Sequence, residues 1–165
     1  MTDRFQRITP FLWFDRQAEE AVHYYLDTFE RSRIVGETRY DRASAQVSGQ
    51  AEGAIMTIAF ELDGQAFTAL NGGPHFKFNE AVSLVVNCRS QDEVDRYWER
   101  LSAGGDPRAQ QCGWLKDRYG LSWQVVPEEL IRLIGDPDPG RAQRATQAML
   151  KMKKIDLAEL RRAAA

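Results

Sequence analysis

With 165 residues, a net charge of −2, 43% hydrophobic and 28% charged residues, the chain has the makeup of one ordinary folded domain that buries a core without disulfide or metal staples. No run of Lys and Arg has the density of a nucleic-acid face, and Lys151-Met152-Lys153-Lys154 reads as the solvated side of a terminal helix. Residues 1–7 are polar with no apolar run after them, so neither a leader nor a membrane segment is expected, and the compartment expected is the cytoplasm.

The first strand-like stretch is 8–14. From 17 to 29 the period changes to that of an amphipathic helix, with Val22, Tyr25, Leu26 and Phe29 at i, i+3, i+4, i+7. Three strands are expected next, over 34–40, 54–61 and 65–70, the last two joined at Asp63-Gly64, a strong hairpin signal. After the joint at 71–80 comes a strand over 81–87. A helix follows over 91–103, with Ser90 as its N-cap and Gly104-Gly105 as a left-handed C-cap. Residues 106–115 must supply the intervening strands in little length. Tyr119-Gly120 turns the chain into a last strand over 121–126, with Gly120 supplying the positive φ. Beyond Pro127 helices are expected over 128–134 and, past Gly135-Asp136-Pro137-Asp138-Pro139, over 141–153. Ala145, Ala148, Met149 and Met152 share one face, and Ile155, Leu157 and Leu160 carry that apolar seam into a last short helix.

The chain repeats itself. Pro10-Phe11-Leu12-Trp13-Phe14 aligns with Val82-Ser83-Leu84-Val85-Val86, and at the same offset Val22 falls on Val94, Tyr25 on Tyr97, Leu26 on Trp98 and Phe29 on Leu101. The stretch around Asp63-Gly64 likewise resembles that around Tyr119-Gly120. The fold class expected is therefore α+β, two tandem βαβββ modules with a helical C-terminal extension. Module one spans about 6–73, module two about 79–127 and the helices about 128–163, all within a single domain, 1–165. The C-terminal seam must pack either on the same chain or on a partner. Cys88 and Cys112 lack a CxxC spacing, which argues for reduced thiols and against a structural zinc site.

The motifs Ile8-Thr9-Pro10-Phe11-Leu12-Trp13-Phe14-Asp15, Phe60-Glu61-Leu62-Asp63-Gly64-Gln65 with Leu70-Asn71-Gly72-Gly73-Pro74, and Cys112-Gly113-Trp114-Leu115-Lys116-Asp117 with Gly120-Leu121-Ser122-Trp123-Gln124 carry a resemblance. The chain resembles the PhnB-like family, described as the 3-demethylubiquinone-9 3-methyltransferase domain, within the vicinal oxygen chelate superfamily of glyoxalase, bleomycin-resistance and dioxygenase proteins. The resemblance implies a glyoxalase-like fold and a homodimer. It also implies, for the superfamily's enzymes, a divalent metal held by side chains of the first and last strand of each module, usually His and Glu. Here those strands offer Gln65, Thr68 and Gln124 but no His, Asp, Glu or Cys, so no catalytic metal and no cofactor are expected. Methyl transfer of the usual kind uses a doubly wound sheet with a glycine-rich strand-to-helix loop. Phe14-Asp15-Arg16-Gln17-Ala18 has no glycine.

The candidate ligand-binding residues are Trp13, Phe67, Asn71, Asn79, Trp114, Trp123 and Gln124. The competing reading of the aromatics is core packing. Asn71-Gly72-Gly73 reads either as a ligand contact or as the turn between modules. His23 reads as a surface residue and His75 as a linker histidine with no partner to make it a base, while Glu61 and Asp117 read as solvated pairs for Lys116 or Arg118. Three functions stay open: a small-molecule-binding protein without a fixed metal, a metal-dependent lyase, isomerase or dioxygenase-like enzyme, and an interaction module with a filled interior.

Overall fold

The computed structural model describes residues 5–165. Residues 1–4, part of the polar start from which no leader is expected, lie outside them. The chain divides at Lys77/Phe78 into two compact units.

In the first unit β1 (Phe11–Phe14) leads into α1 (Ala18–Thr28), β2 (Arg33–Arg39), α2 (Arg42–Ser48), β3 (Ile55–Leu62) and β4 (Gln65–Asn71). The sheet order is β1-β4-β3-β2, with β1 parallel to β4 and the other pairs antiparallel. Asp63 and Gly64 both take positive φ, 47° and 77°, which is the two-residue turn whose twist matches a hairpin. Strand alternation sends Leu12, Phe14, Ile58, Phe60, Leu62, Phe67 and Ala69 to a buried face, together with Ala18, Ala21, Val22 and Tyr25 of α1. Phe11 and Trp13 share the opposite face with Thr68 and Leu70, their partners in the ladder.

Helix α2 lies where no element is expected from the sequence. Seven residues give too little room for an apolar period, and the helix is set instead by its ends. Asp41 accepts a hydrogen bond from Ser44 N at 2.8 Å, and Ser44 Oγ accepts one from the N-cap N–H of Asp41 at 3.0 Å, a capping box.

The second unit runs β5 (Ser83–Cys88), α3 (Gln91–Ser102), β6 (Trp114–Lys116), β7 (Ser122–Pro127), α4 (Glu128–Ile134), α5 (Pro139–Met149) and α6 (Leu157–Ala164). Its sheet, β5-β7-β6, has three strands. The module is thus βαβββ-like with one strand fewer: residues 106–115 supply only a short 3-10 turn at Pro107–Ala109, a bridge between Gln111 and Trp114, and the start of β6. Ser90 caps α3, accepting from Glu93 N at 3.2 Å. Behind α3 the backbone turns over Ala103 (φ −61°, ψ 116°) and Gly104 (φ 77°), closed by Gly105 N to Ser102 O at 3.0 Å. That is a type II turn rather than a left-handed helix cap.

The two hairpins differ. Between β6 and β7, Gly120 N donates to Asp117 O and Asp117 N to Leu121 O, both at 2.9 Å, and of the pair Tyr119-Gly120 only Gly120 has positive φ. The loop is three residues long, a turn followed by a glycine bulge. Asp117 is not the solvated carboxylate expected. It is 2% exposed, and its carboxylate accepts from Tyr119 N at 2.9 Å, Leu121 N at 3.1 Å and Trp123 Nε1 at 2.8 Å. Glu61 pairs with Arg33 instead, at 2.8 Å.

The C-terminal seam is covered within its own unit. Leu130, Leu133, Ala145, Met152, Ile155, Leu157, Leu160 and Ala164 form one buried cluster with Val126 at the end of β7. Gln91, the first residue of α3, lashes the loop before α6, donating to Ile155 O at 3.1 Å and accepting from Leu157 N at 2.9 Å. Cys112 N and Gly113 N donate to Met152 O and Lys153 O at 2.8 and 2.7 Å. No helix among the described residues is long and apolar enough to cross a membrane.

Replacing Asp117 by Ala strands three N–H donors below the surface, and we expect urea unfolding to show a loss of about 2–4 kcal/mol. Glu37→Ala removes an exposed carboxylate 3.6 Å from Arg39 and should change stability by less than about 1 kcal/mol. Equal losses would refute the structural role of Asp117.

Candidate functional site

The candidate residues fall into three groups. Phe67 and Trp123 are core: Phe67 is stacked on Phe60 with ring centroids 5.5 Å apart, and Trp123 is 3% exposed on the buried face of β7 with its indole N–H on Asp117.

Trp13 and Asn71 tie the end of β4 to β1 and α1 within the first unit. Helix α1 begins after Gln17, which makes no side-chain cap. The first-turn N–H that needs an acceptor finds it far along the chain: Asn71 Oδ1 accepts from Ala18 N at 2.9 Å. Asn71 Nδ2 donates to Glu19 Oε2 at 2.6 Å and Ile55 O at 3.2 Å, and its carbonyl accepts from Tyr40 Oη at 2.6 Å. Both amide protons are committed to the fold, and the side chain is 6% exposed. Just beyond, Trp13 Nε1 donates to Gly73 O at 2.9 Å, and its ring meets Phe76 edge-on at 4.9 Å. A Cβ on Gly72 would lie 2.3 Å from the Trp13 ring atoms Cε2 and Cζ2, so this backbone passes the indole closely because Gly72 has no side chain. Asn79 is exposed and accepts from Ala81 N at 2.9 Å, a local turn contact. His23 and His75 are exposed.

Trp114 and Gln124 come together. They are directly opposed across β6 and β7, on the face of the second sheet turned away from Trp123 and Val125. Three short strands build two rows across this face. One row is Val85, Gln124 and Trp114. The next is Ser83, Ser122 and Lys116. Gln124 Nε2 donates to Ser83 Oγ at 2.9 Å, tying the rows. Lys116 forms an ion pair with Glu80, whose carboxyl is held below its usual range by the hydrogen bond from that ammonium. Ser122 is 1% exposed, and its hydroxyl has no hydrogen-bond partner among the described residues.

The donors on the terminal strands suit a metal poorly. They are amides and hydroxyls, apart from the Cys88 thiol, which burial pushes up to about 12 and so keeps protonated. Among the described residues no three His, Cys, Asp or Glu side chains converge as a metal group. A shallow depression along α3, lined by Asp92, Asp95, Arg96, Glu99, Arg100 and Ala103, lies on the helix layer, away from these rows. Its charges stand at i, i+3 and i+4 spacing, with Asp95 bonded to Lys154 at 2.6 Å and to Gln91 at 2.9 Å, as on a solvated helix face.

Two outcomes test this division. Asn71→Ala should lower stability by about 1–3 kcal/mol, whereas His75→Ala should stay within about 0.5 kcal/mol; a neutral Asn71→Ala would show that the cap is dispensable. Gly72→Ala should destabilise strongly beside Trp13 and less beside Trp13→Leu, giving a coupling of about 1 kcal/mol or more in a double-mutant cycle, and additivity would contradict the close approach.

Comparison with known proteins agrees with this fold. A family model described as 3-demethylubiquinone-9 3-methyltransferase matches residues 6–126. Among solved structures, a putative 3-demethylubiquinone-9 3-methyltransferase, PhnB protein, from Bacillus cereus is 35% identical, with 74% of this chain and 99% of that chain covered and a TM-score of 0.62. A protein from Pseudomonas aeruginosa is 22% identical, with 75% and 98% covered and a TM-score of 0.52. A glyoxylase/bleomycin resistance protein/dioxygenase domain from Frankia sp. is 14% identical, with 74% and 92% covered and a TM-score of 0.48. No curated protein matches the sequence. The match of the family model, together with the identity to the Bacillus cereus protein, shows that the chain belongs to the PhnB-like 3-demethylubiquinone-9 3-methyltransferase family.

Proposed function

We propose that this chain is a cytoplasmic small-molecule-binding protein that works without a fixed catalytic metal and acts as a homodimer. The observation that carries the reading is one face of the second sheet, where the exposed Val85 and the half-buried Trp114 and Gln124 stand side by side and Gln124 is oriented by Ser83. An aromatic ring and an aliphatic side chain flanking one fixed amide is the mixture of apolar wall and sparse polar groups that small-molecule sites use.

The family's description names a methyltransferase, which implies S-adenosylmethionine. This chain does not suit that cofactor in its usual mode. The strand-to-helix junctions, Asp15-Arg16-Gln17 and Arg89-Ser90, contain no glycine, and the sheets are mixed, of four and three strands, rather than doubly wound. The donors on the terminal strands argue in the same way against a catalytic metal. The homodimer rests on the family resemblance, because the C-terminal seam that also suggested a partner is buried in cis.

Thermal-shift screening against metabolites and divalent metals tests the reading. A ligand at 100 times its Kd should add about 2.7 kcal/mol of stability. Trp114→Ala and Gln124→Ala should each weaken that ligand about tenfold or more, while His75→Ala leaves it unchanged. Stoichiometric metal surviving dialysis would overturn the metal-free reading in favour of a metal-dependent lyase, isomerase or dioxygenase-like enzyme. Light scattering showing a monomer at micromolar concentration would overturn the dimer.

A further inference from the structure

Among the described residues the buried Ser122 hydroxyl has no partner, and such a group is costly to bury unless something gives it a hydrogen bond. Its neighbours show what that something is. On β5 it is paired with Ser83 and on β6 with Lys116, all three on one face of the sheet. Ser83 Oγ accepts from Gln124, and its own proton is given to no acceptor among the described residues. The row therefore presents two hydroxyl donors and an ammonium, with no carboxylate on the three strands of this face. Adjacent strands lie about 4.8 Å apart, so one small anion set over Ser122 reaches the side chains on both sides. The adjoining row is Val85, Gln124 and Trp114, an apolar and aromatic surface beside a cationic polar one.

A carboxylate is already docked on this row. Glu80, on the segment before β5, pairs with Lys116 while remaining 66% exposed itself, whereas Lys116 is 24% exposed. Besides this ammonium the Glu80 carboxylate takes a hydrogen bond from its own backbone N–H, so an incoming carboxylate exchanges one charge-assisted bond for another and adds the Ser122 hydroxyl as a second donor.

We propose that the ligand of this face is a carboxylic acid with an aromatic or cyclic body. Its carboxylate replaces Glu80 on Lys116 and accepts from Ser122 and Ser83, while its ring lies over Trp114 and Val85. Glu80 is an internal surrogate that occupies the cation until the acid arrives. This deepens the small-molecule reading above and rests on it.

The test is a nuclear magnetic resonance titration of 15N-labelled protein with benzoate, and with benzamide as the neutral counterpart. Benzoate should shift the resonances of Ser83, Lys116, Ser122 and Gln124 in a saturable way. Glu80→Gln, which removes the surrogate from an exposed position, should tighten benzoate about threefold, and Lys116→Gln should weaken it about tenfold; Ser122→Ala should weaken it by a smaller factor. Benzamide should respond to none of these changes. Benzoate binding that is indifferent to both Glu80→Gln and Lys116→Gln, or matched by benzamide, overturns the proposal. If benzoate leaves these resonances unmoved while another metabolite shifts them, the carboxylate class falls and the small-molecule reading stands. If nothing in the metabolite panel moves them, both fall.

Discussion

A carboxylate placed inside a protein must find donors, and the second sheet is organised around one that does. Asp117 takes three N–H groups, two from the loop it begins and one from the Trp123 indole. Those bonds set the loop at three residues and thereby the pairing of Lys116 with Ser122 and of Trp114 with Gln124. Because side chains alternate between faces, a slip of one residue would turn Trp123 outward and Ser122 and Gln124 into the helix layer. Which side chains share that face is a consequence of where that one charge is satisfied.

The first unit relies on a polar side chain in the same way and uses it differently. Asn71 stands at the end of β4 and supplies the cap that α1 lacks locally. One amide joins the last strand to the first helix, and the neighbouring glycines let Trp13 close over the same corner. The Asn-Gly-Gly run, a chemistry usual in exposed turns, is buried here and closes the corner between β4 and α1.

What could be read from the sequence was whatever is decided locally. The Asp63-Gly64 hairpin, the Ser90 cap and the helices over Ala18–Thr28 and Gln91–Ser102 depend on residues within a turn or two of each other. Gln124 and Trp114 stood among seven candidates, and alternation could not tell them from Trp123, since β7 is buried along most of its length and its alternation is faint. Helix α2 has its signal in Asp41 and Ser44, a pair weaker than the Glu or Gln form of the capping box. The roles of Asn71 and Asp117 were illegible because their partners are set by the fold: Ala18 and Glu19 lie 53 and 52 residues away, and the Trp123 indole is brought back by a hairpin. Ser122 gave no sign at all, since a small hydroxyl inside an apolar run becomes conspicuous only once its neighbours are known to leave it unpaired.

The sheet order of the first unit also bears on how the chain is made. Strand β4 lies between β1 and β3, yet it is the last of the four to leave the ribosome. Until Gln65–Asn71 has been synthesised, β1 has no strand to pair with and α1 no cap, while β2 and β3 are free to form a hairpin with an open edge. The nascent unit therefore passes through an interval in which its apolar strands are out and its central seat is empty, the state in which unpaired edges invite association between chains. One late strand ends that interval, filling the seat and capping the helix in the same step.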